Sequence, residues 1–317
     1  MDFSFSLLPE RASTHAAWVD GVFYYGLGIT VFFTTLICVL VLFFAVKYRK
    51  GSSANRANPV THNTPLEIFW IGVPLLLAMG MFFFSTYVYF HMYRYPKDAI
   101  EVYVLARQWM WELNHPEGRR EINTLHVPVG KPVRLTMTSV DVIHSFFVPA
   151  FRIKQDVVPG LYTSLWFEAT KPGTYHLFCA EYCGTLHSGM IGSIVVMEPA
   201  DYQQWLTAGY GQGETMASAG AALFTRYGCN GCHGKNATVR APLLDGVYGH
   251  AVPLASGKVV QADERYIRDS ILLPRSEVVA GYDPVMPTFE GQISEGDLLK
   301  IITYIRSIGN VEKVEQR

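Results

Sequence analysis

Two apolar runs dominate the first third of the chain. VFYYGLGITVFFTTLICVLVLFFAV (Val22–Val46) and IFWIGVPLLLAMGMFFFSTYVYF (Ile68–Phe90) contain no charged residue. Each exceeds the roughly 20 residues a helix needs to cross the hydrocarbon core of a bilayer. The competing readings are a buried helix of a soluble protein and, for the first run, a cleaved signal peptide. The first run is too long for a signal peptide, and Asp2, Glu10, Arg11 and Asp20 precede it where a basic segment belongs. Lys47, Arg49, Lys50 and Arg56 crowd the segment between the runs, which makes that loop cytoplasmic by the positive-inside rule. Both termini, and everything after about residue 95, are then expected outside.

The pattern changes at residue 97. EVYVLARQWMWEL, KPVRLTMTSV, LYTSLWFEAT, GTYHLFCA and GSIVVME are rich in β-branched and aromatic residues. Turns at Pro128–Gly130, Pro159–Gly160 and Pro172–Gly173 separate them, and this spacing predicts a β-sandwich or Greek-key barrel. Beyond Trp205, LTAGYGQGETMASAG reads as a linker. The tail SEGDLLKIITYIRSI reads as a helix: Ser294 and Asp297 form a capping box, and Leu298, Ile301, Ile302, Ile305 and Ile308 form an apolar stripe. The chain thus divides into an N-terminal segment and membrane hairpin (1–96), an all-β domain (97–204), a linker (205–217) and a small all-α domain (218–317), with no internal repeat.

Composition adds two constraints. The 317 residues are 50% hydrophobic, an excess concentrated in the two apolar runs. The formal net charge is −1, so there is no basic footprint for nucleic acid.

Cysteine placement carries the chemistry. Cys229-Asn-Gly-Cys232-His233 is the C-x-x-C-H signature of covalent c-type haem attachment. Two thiols hold the haem and the histidine ligates its iron. A redox C-x-x-C would not need the histidine, and a zinc ribbon would need a second cysteine pair, which does not follow. Met286 is the only methionine after this motif and is the candidate second axial ligand. Met/His ligation suits an electron carrier. His250 is the rival ligand, and Met286 as core filler is the plain alternative.

The segment CAEYCGTLHSGM (Cys179–Met190) places Cys179, Cys183, His187 and Met190 at spacings of four, four and three. A disulfide is the plain alternative in an oxidising compartment. Cys38 lies in the first apolar run and reads as a small apolar residue. With His144 from an earlier β-region, the loop resembles a blue-copper site. A single-copper centre uses one cysteine, however. Two thiolates, two imidazoles and a thioether provide enough ligands for two coppers.

In these motifs and their order the chain resembles subunit II of cytochrome c oxidase, in the caa3-type variant with a C-terminal cytochrome c domain. The resemblance covers nearly the whole chain. It implies a multidomain membrane protein: a two-helix transmembrane hairpin, an all-β cupredoxin-like Greek-key barrel and an all-α cytochrome c domain. It also implies a dinuclear copper centre, CuA, bridged by Cys179 and Cys183. His144 and His187 would each bind one copper, and Met190 and the Glu181 carbonyl would be weak ligands. The Glu181 carboxylate would reach a magnesium ion shared with subunit I. A surface carboxylate is the plain reading of that side chain.

Further roles follow from the same resemblance. Trp109, in RQWMWEL, would receive electrons, where the plain reading is a buried aromatic pair with Trp111 pointing the same way along one strand. Glu67 would stand at the entrance of a proton path, or else be an interfacial charge. The Pro242 carbonyl would accept a hydrogen bond from His233. Two departures stand out. The acidic cluster that follows the QWxW strand in relatives using soluble cytochrome c is offset here by Arg119 and Arg120. A tethered haem needs no steering, since its linker sets the effective concentration. Leu161 stands where many relatives have arginine.

The implied function is the electron-accepting subunit of a proton-pumping haem-copper terminal oxidase. Oxygen chemistry would lie in subunit I, so no catalytic residue is expected in this chain. Alternatives are the CuA subunit of a nitric oxide reductase and a membrane-anchored redox carrier without a catalytic partner. Expected partners are subunit I, subunit III, the lipid bilayer, and an upstream cytochrome c or quinol-oxidising complex. The expected location is a prokaryotic plasma membrane.

Overall fold

The computed structural model of the chain describes residues 7–57, 61–208, 215–234 and 241–308. The middle of the expected linker (209–214), part of the segment after the C-x-x-C-H motif (235–240) and the last residues of the expected C-terminal domain (309–317) lie outside the described residues.

Two helices open the structure, α1 (Thr14–Lys47) and α2 (Thr64–Tyr93), both long and apolar enough to cross a membrane. Ser13 and Asn63 cap them by accepting from the Ala16 and Leu66 N–H groups. Their large apolar side chains, such as Phe32, Leu42, Leu76 and Phe83, point outward, the reverse of a water-soluble core and the arrangement a bilayer requires. The helices approach closely where small residues face aromatic ones. A Cβ on Gly80 would lie 3.0 Å from the Tyr25 hydroxyl.

Helix α1 starts before the apolar run, and its first turns belong to the β domain. His15, Ala16 and Asp20 are buried. Asp20 accepts from Arg152 Nε at 2.7 Å and from Arg11 Nε at 2.6 Å. Ala12 donates its N–H to Ala150 O at 3.0 Å. The acidic residue before the first span is therefore a brace between helix and domain.

The β domain has ten strands: β1 (Ile100–Arg107), β2 (Met110–Asn114), β3 (Arg120–Ile122), β4 (Thr124–Pro128), β5 (Pro132–Ser139), β6 (His144–Val148), β7 (Ile153–Val157), β8 (Thr163–Glu168), β9 (Gly173–Cys179) and β10 (Ile191–Met197). They form two sheets, ordered β3-β2-β1-β5-β8 and β4-β10-β9-β6-β7. The pairs β1–β5 and β4–β10 are parallel. Val104, Trp111, Leu135, Phe146, Leu177 and Ile194 meet between the sheets. The run 101–113 is not one strand: it turns back at Gln108–Trp109 into the β1–β2 hairpin. Helix α3 (Pro199–Thr207) follows β10 and runs past the expected start of the linker. Trp205 on α3 stacks on His126 at 4.4 Å between ring centroids.

The C-terminal part holds α4 (Met216–Arg226), the single turn α5 (Asn230–His233), α6 (Glu264–Leu272) and α7 (Glu295–Ser307). It is not wholly helical, because β11 (Ala251–Pro253) and β12 (Val259–Gln261) pair as an antiparallel hairpin. Gly257, at φ +82°, supports the turn between them. The α7 stripe is buried as expected, with Leu298, Ile301, Ile302 and Ile305 against Ile267 and Phe224. Ser294 accepts from the Asp297 N–H at 3.2 Å, whereas the Asp297 carboxylate pairs with Lys300 at 3.1 Å. Helix α4 crosses α7 at Gly220, where a Cβ would lie 2.0 Å from the Lys300 carbonyl. Only glycine allows this crossing.

Candidate metal centre

The ends of β6 and β9 bring the first ligand candidates together. His144 opens β6 and Cys179 closes β9. The two strands pair through Phe146 and Cys179, and Ala180 donates its N–H to Ser145 O at 3.0 Å. After Cys179 the chain loops outward and returns at β10, tied by Cys179 N–H to Met190 O at 3.1 Å. The loop passes through Gly184 at φ +116°, where a Cβ would stand 2.9 Å from Gln108 Nε2.

Inside the loop the donor atoms converge. Cys179 Sγ lies 3.9 Å from His144 Nδ1, 3.8 Å from Cys183 Sγ and 3.3 Å from Glu181 O. Cys183 Sγ lies 3.5 Å from His187 Nδ1 and 3.8 Å from Met190 Sδ. The cysteines are free thiols, both buried. Among the described residues, His144, Cys179 and Cys183 are the cluster able to hold a metal ion, with ligand atoms within 4.8 Å of one another. Thiolate, imidazole and thioether donors together suit copper far better than a hard cation. The structure brings the sequence-predicted donors to one loop and the adjoining strand ends, and the donor set fits copper.

The surroundings orient these ligands. Asp141 Oδ1 lies 2.9 Å from His144 Nε2, which leaves Nδ1 for the sulfur side. Asp141 is itself held by the N–H groups of Gln108 and Val142, each at 2.7 Å. Burial opposes its ionisation, but those N–H groups and His144 hold its carboxyl below the usual range. Trp111, fully buried, packs near His144 with centroids 6.1 Å apart. Burial likewise opposes ionisation of Cys179, yet His144 and the neighbouring backbone bring its thiol down. Burial and the Cys179 charge push Cys183 up. Without metal, the pair gives up one proton readily and holds the second.

Trp109 is at the centre's edge, but not as expected. It sits in the β1–β2 turn, half-buried, while Trp111 lies within β2. Gln108 Nε2 and Trp109 Nε1 both donate to Cys183 O, at 2.8 and 3.3 Å. Trp109 belongs to the turn and Trp111 to the strand after it, so the shared-face reading does not hold. Asp141 and Gln108 were missed from sequence. The acid three residues before His144 in SVDVIHS was the available signal.

The second cysteine pair forms its own site. Cys229 caps the single helical turn α5 and Cys232 lies within it, with His233 N–H donating to Cys229 O at 2.9 Å. His233 Nδ1 lies 2.8 Å from the Pro242 carbonyl, which orients the ring and leaves Nε2 free for a metal. Cys229 and Met286 pack against one apolar core, whereas His250 is exposed, its Nδ1 3.2 Å from Tyr248 O. Two thiols and an oriented imidazole fit a covalently held haem, and Met286 borders the same apolar core as Cys229.

The remaining candidates are separate. The Glu181 side chain is exposed, and Leu161 is exposed as well. Glu67 Oε1 accepts from the Asn63 N–H at 3.1 Å and lies 3.1 Å from His62 Nδ1, so it also closes the start of α2. Cys38 lies on the outer surface of α1. Arg120 pairs with Glu112 at 2.7 Å, and Glu121 is taken by His115 and His126 at 2.9 and 2.5 Å. Those acids are engaged by partners within the domain.

Comparison with known proteins agrees with this geometry. Residues 76–198 match the family described as the periplasmic domain of cytochrome c oxidase subunit II, and residues 4–88 match its transmembrane domain. A cytochrome c oxidase subunit 2 of Thermostichus vulcanus is 30% identical over 253 residues, covering 63% of this chain and 77% of that protein. One from Cereibacter sphaeroides is 31% identical over 244 residues, covering 64% and 78%. One from Alkalihalophilus pseudofirmus is 29% identical over 305 residues, covering 90% and 86%.

Proposed function

The chain belongs to the cytochrome c oxidase subunit II family, a part of haem-copper oxidase complexes, and we propose that it accepts electrons on its own c-type haem and passes them through a dinuclear CuA centre to subunit I. Reduction of oxygen to water, coupled to proton pumping, takes place in that subunit. The observation that carries the reading is the convergence of Cys179, Cys183, His144, His187 and Met190 around one space, at sulfur–nitrogen and sulfur–sulfur distances of 3.5–3.9 Å.

A bound copper pair supplies a one-electron relay whose charge is shared over both ions. The protein's own residues do the rest. Cys179 and Cys183 present two thiolates side by side, and Asp141 fixes the His144 ring. The Gln108 and Trp109 N–H groups hold the Cys183 carbonyl. Burial of the thiols keeps water from the ligands. Trp109, at the rim, is the proposed arrival point for electrons from an external donor, such as a cytochrome c or a quinol-oxidising complex. The exposed Glu181 carboxylate is the proposed magnesium ligand at the boundary with subunit I, and Glu67 the proposed proton-path entrance. A haem-bearing C-terminal region is supported by the Cys229/Cys232/His233/Met286 arrangement. The proposed place is a prokaryotic plasma membrane, beside subunits I and III and with both termini outside; the two apolar helices and the match to a periplasmic domain support a membrane anchor with an external domain.

The test is copper content and electron paramagnetic resonance on the full chain, since buried residues of α1 belong to the β domain and a fragment from residue 97 would lack them. Two coppers per haem, with hyperfine structure spread over both nuclei, are expected. One copper with a blue-type spectrum, or a Cys179–Cys183 disulfide in a folded protein, would overturn the proposal. Oxygen against nitric oxide turnover by the purified complex separates the oxidase from the reductase reading.

A further inference from the structure

We infer that the haem-bearing domain delivers its electron from a fixed seat on the outer face of the β1–β5 sheet, locked by an alternating ring of four charges, three of them buried, and not by swinging on a tether. This rests on the proposed function above and replaces the tethered-haem expectation drawn from the linker composition.

Strands β1 and β5 are buried on both faces. Val102, Val104 and Ala106 face the β-domain core. Tyr103 and Leu105, at 1% and 2% exposure, face the other way. They are covered by Met216 of α4 and Leu299 of α7. Tyr162, from the β7–β8 loop, packs against this patch and also against the core that Cys229 and Met286 join. Its hydroxyl is buried with no hydrogen-bond partner, so the ring is there for packing.

Around this apolar patch the charges alternate. Arg134 Nη1 lies 3.3 Å from Glu101 Oε2 and 3.4 Å from Glu264 Oε1. Arg306 Nη1 lies 3.3 Å from the same Glu101 oxygen and 3.8 Å from Glu264 Oε1. Thr136 donates to Glu101 at 2.5 Å, and Tyr248 donates to Glu264. Each domain contributes one carboxylate and one guanidinium, so each face is neutral by itself. Each arginine also reaches across to the other domain's acid. Desolvated pairs of this kind fix register and suppress wrong seating more than they add affinity.

The connector starts and ends at one place. Arg119, in the β2–β3 turn, donates to Ala208 O at 2.9 Å and to Trp205 O. The Met216 N–H donates to Pro116 O, in the same turn, at 3.1 Å. Both flanks of the connector are thus pinned to a single turn of the β domain.

In the transfer concerned, one electron goes from a reduced haem iron to an oxidised copper pair; no bond or proton moves. From a fixed seat its rate is independent of solvent viscosity, whereas a swinging domain slows as viscosity rises. The experiment uses the full-length protein loaded with haem and copper. Haem-to-copper transfer after flash reduction is followed against glycerol concentration, with calorimetry in parallel. The double variant Glu264→Arg/Arg306→Glu keeps the C-terminal domain's own pair and turns both cross-domain pairs repulsive. The quadruple variant adding Glu101→Arg and Arg134→Glu restores alternation.

The expected result is a viscosity-independent rate in the unaltered chain. The double variant then shows about tenfold slower transfer that now depends on viscosity, and a single unfolding transition split into two. The quadruple variant recovers both. A rate falling with viscosity in the unaltered chain, or a double variant that changes neither readout, overturns the inference. Should the loaded, unaltered chain pass no electron from haem to copper, the proposed function fails, while the calorimetry still decides the seating.

Discussion

Asp141 accepts a hydrogen bond from His144 Nε2 at 2.9 Å, and the opposite ring nitrogen of His144 lies 3.9 Å from Cys179 Sγ. One carboxylate thereby sets the tautomer and the direction of a metal ligand. Loss of such a partner typically costs 10–100-fold in metal affinity. Asp141→Ala is expected to weaken copper binding by about that factor in a competitive titration. Asp141→Asn, which keeps an acceptor, is expected to lose less. Equal copper affinity in all three proteins would show that His144 is oriented by other contacts.

Cys183 is the hub of the loop, since its sulfur faces Cys179, His187 and Met190. Cys183→Ser removes the second soft bridge. The expected product binds a single copper, with hyperfine structure confined to one nucleus. Retention of two equivalent coppers would contradict the assigned ligand set.

Gly220 lets α4 lie against the α7 backbone. Gly220→Ala would drive a methyl into the Lys300 carbonyl, 2.0 Å from the ideal Cβ position. Overpacking of this kind costs about 1–3 kcal/mol. Calorimetry should show the C-terminal domain unfolding at lower temperature, with copper binding by the β domain unchanged. An unaltered transition would mean that the two helices separate at little cost.

Glu121 of β3 joins His126 of β4 and His115 of the β2–β3 turn beneath Trp205. Burial opposes its ionisation, but the hydrogen bonds from His115 and His126 hold its carboxyl down from 4.5 to about 2. A depressed carboxyl stabilises the fold fully above its unfolded value and loses that contribution as pH falls towards the folded one. The window is therefore pH 4.5 down to about 2, and the contribution at neutral pH is about 3 kcal/mol. Unfolding midpoints in denaturant should drop across that window. Glu121→Gln is expected to be less stable at neutral pH and to flatten the slope. A variant with the parent's slope would assign the acid sensitivity to other carboxylates.

Much of this protein was legible along the chain because it depends on near neighbours. The two membrane spans follow from unbroken apolar runs. The proposed copper loop keeps four of its donors within twelve residues, and the proposed haem motif is contiguous. The α7 stripe and the Ser294 cap are one-helix properties. Tertiary structure decided what distant partners impose. The run 101–113 is uniformly strand-forming, so nothing local marks its reversal at Gln108–Trp109. That turn is anchored by Asp141 and Cys183, 33 and 75 residues away. The β11–β12 hairpin is short and closes only against the helices around it. Tyr103 and Leu105 read as the outward positions of an ordinary half-exposed strand until α4 and α7 cover them. The seating of the two domains rests on Arg134 meeting Glu264 across 130 residues and Arg306 meeting Glu101 across 205. Local propensity sets which elements form. Such pairings exist only once the fold has brought oppositely charged side chains out of water together, and no pattern of neighbours encodes them.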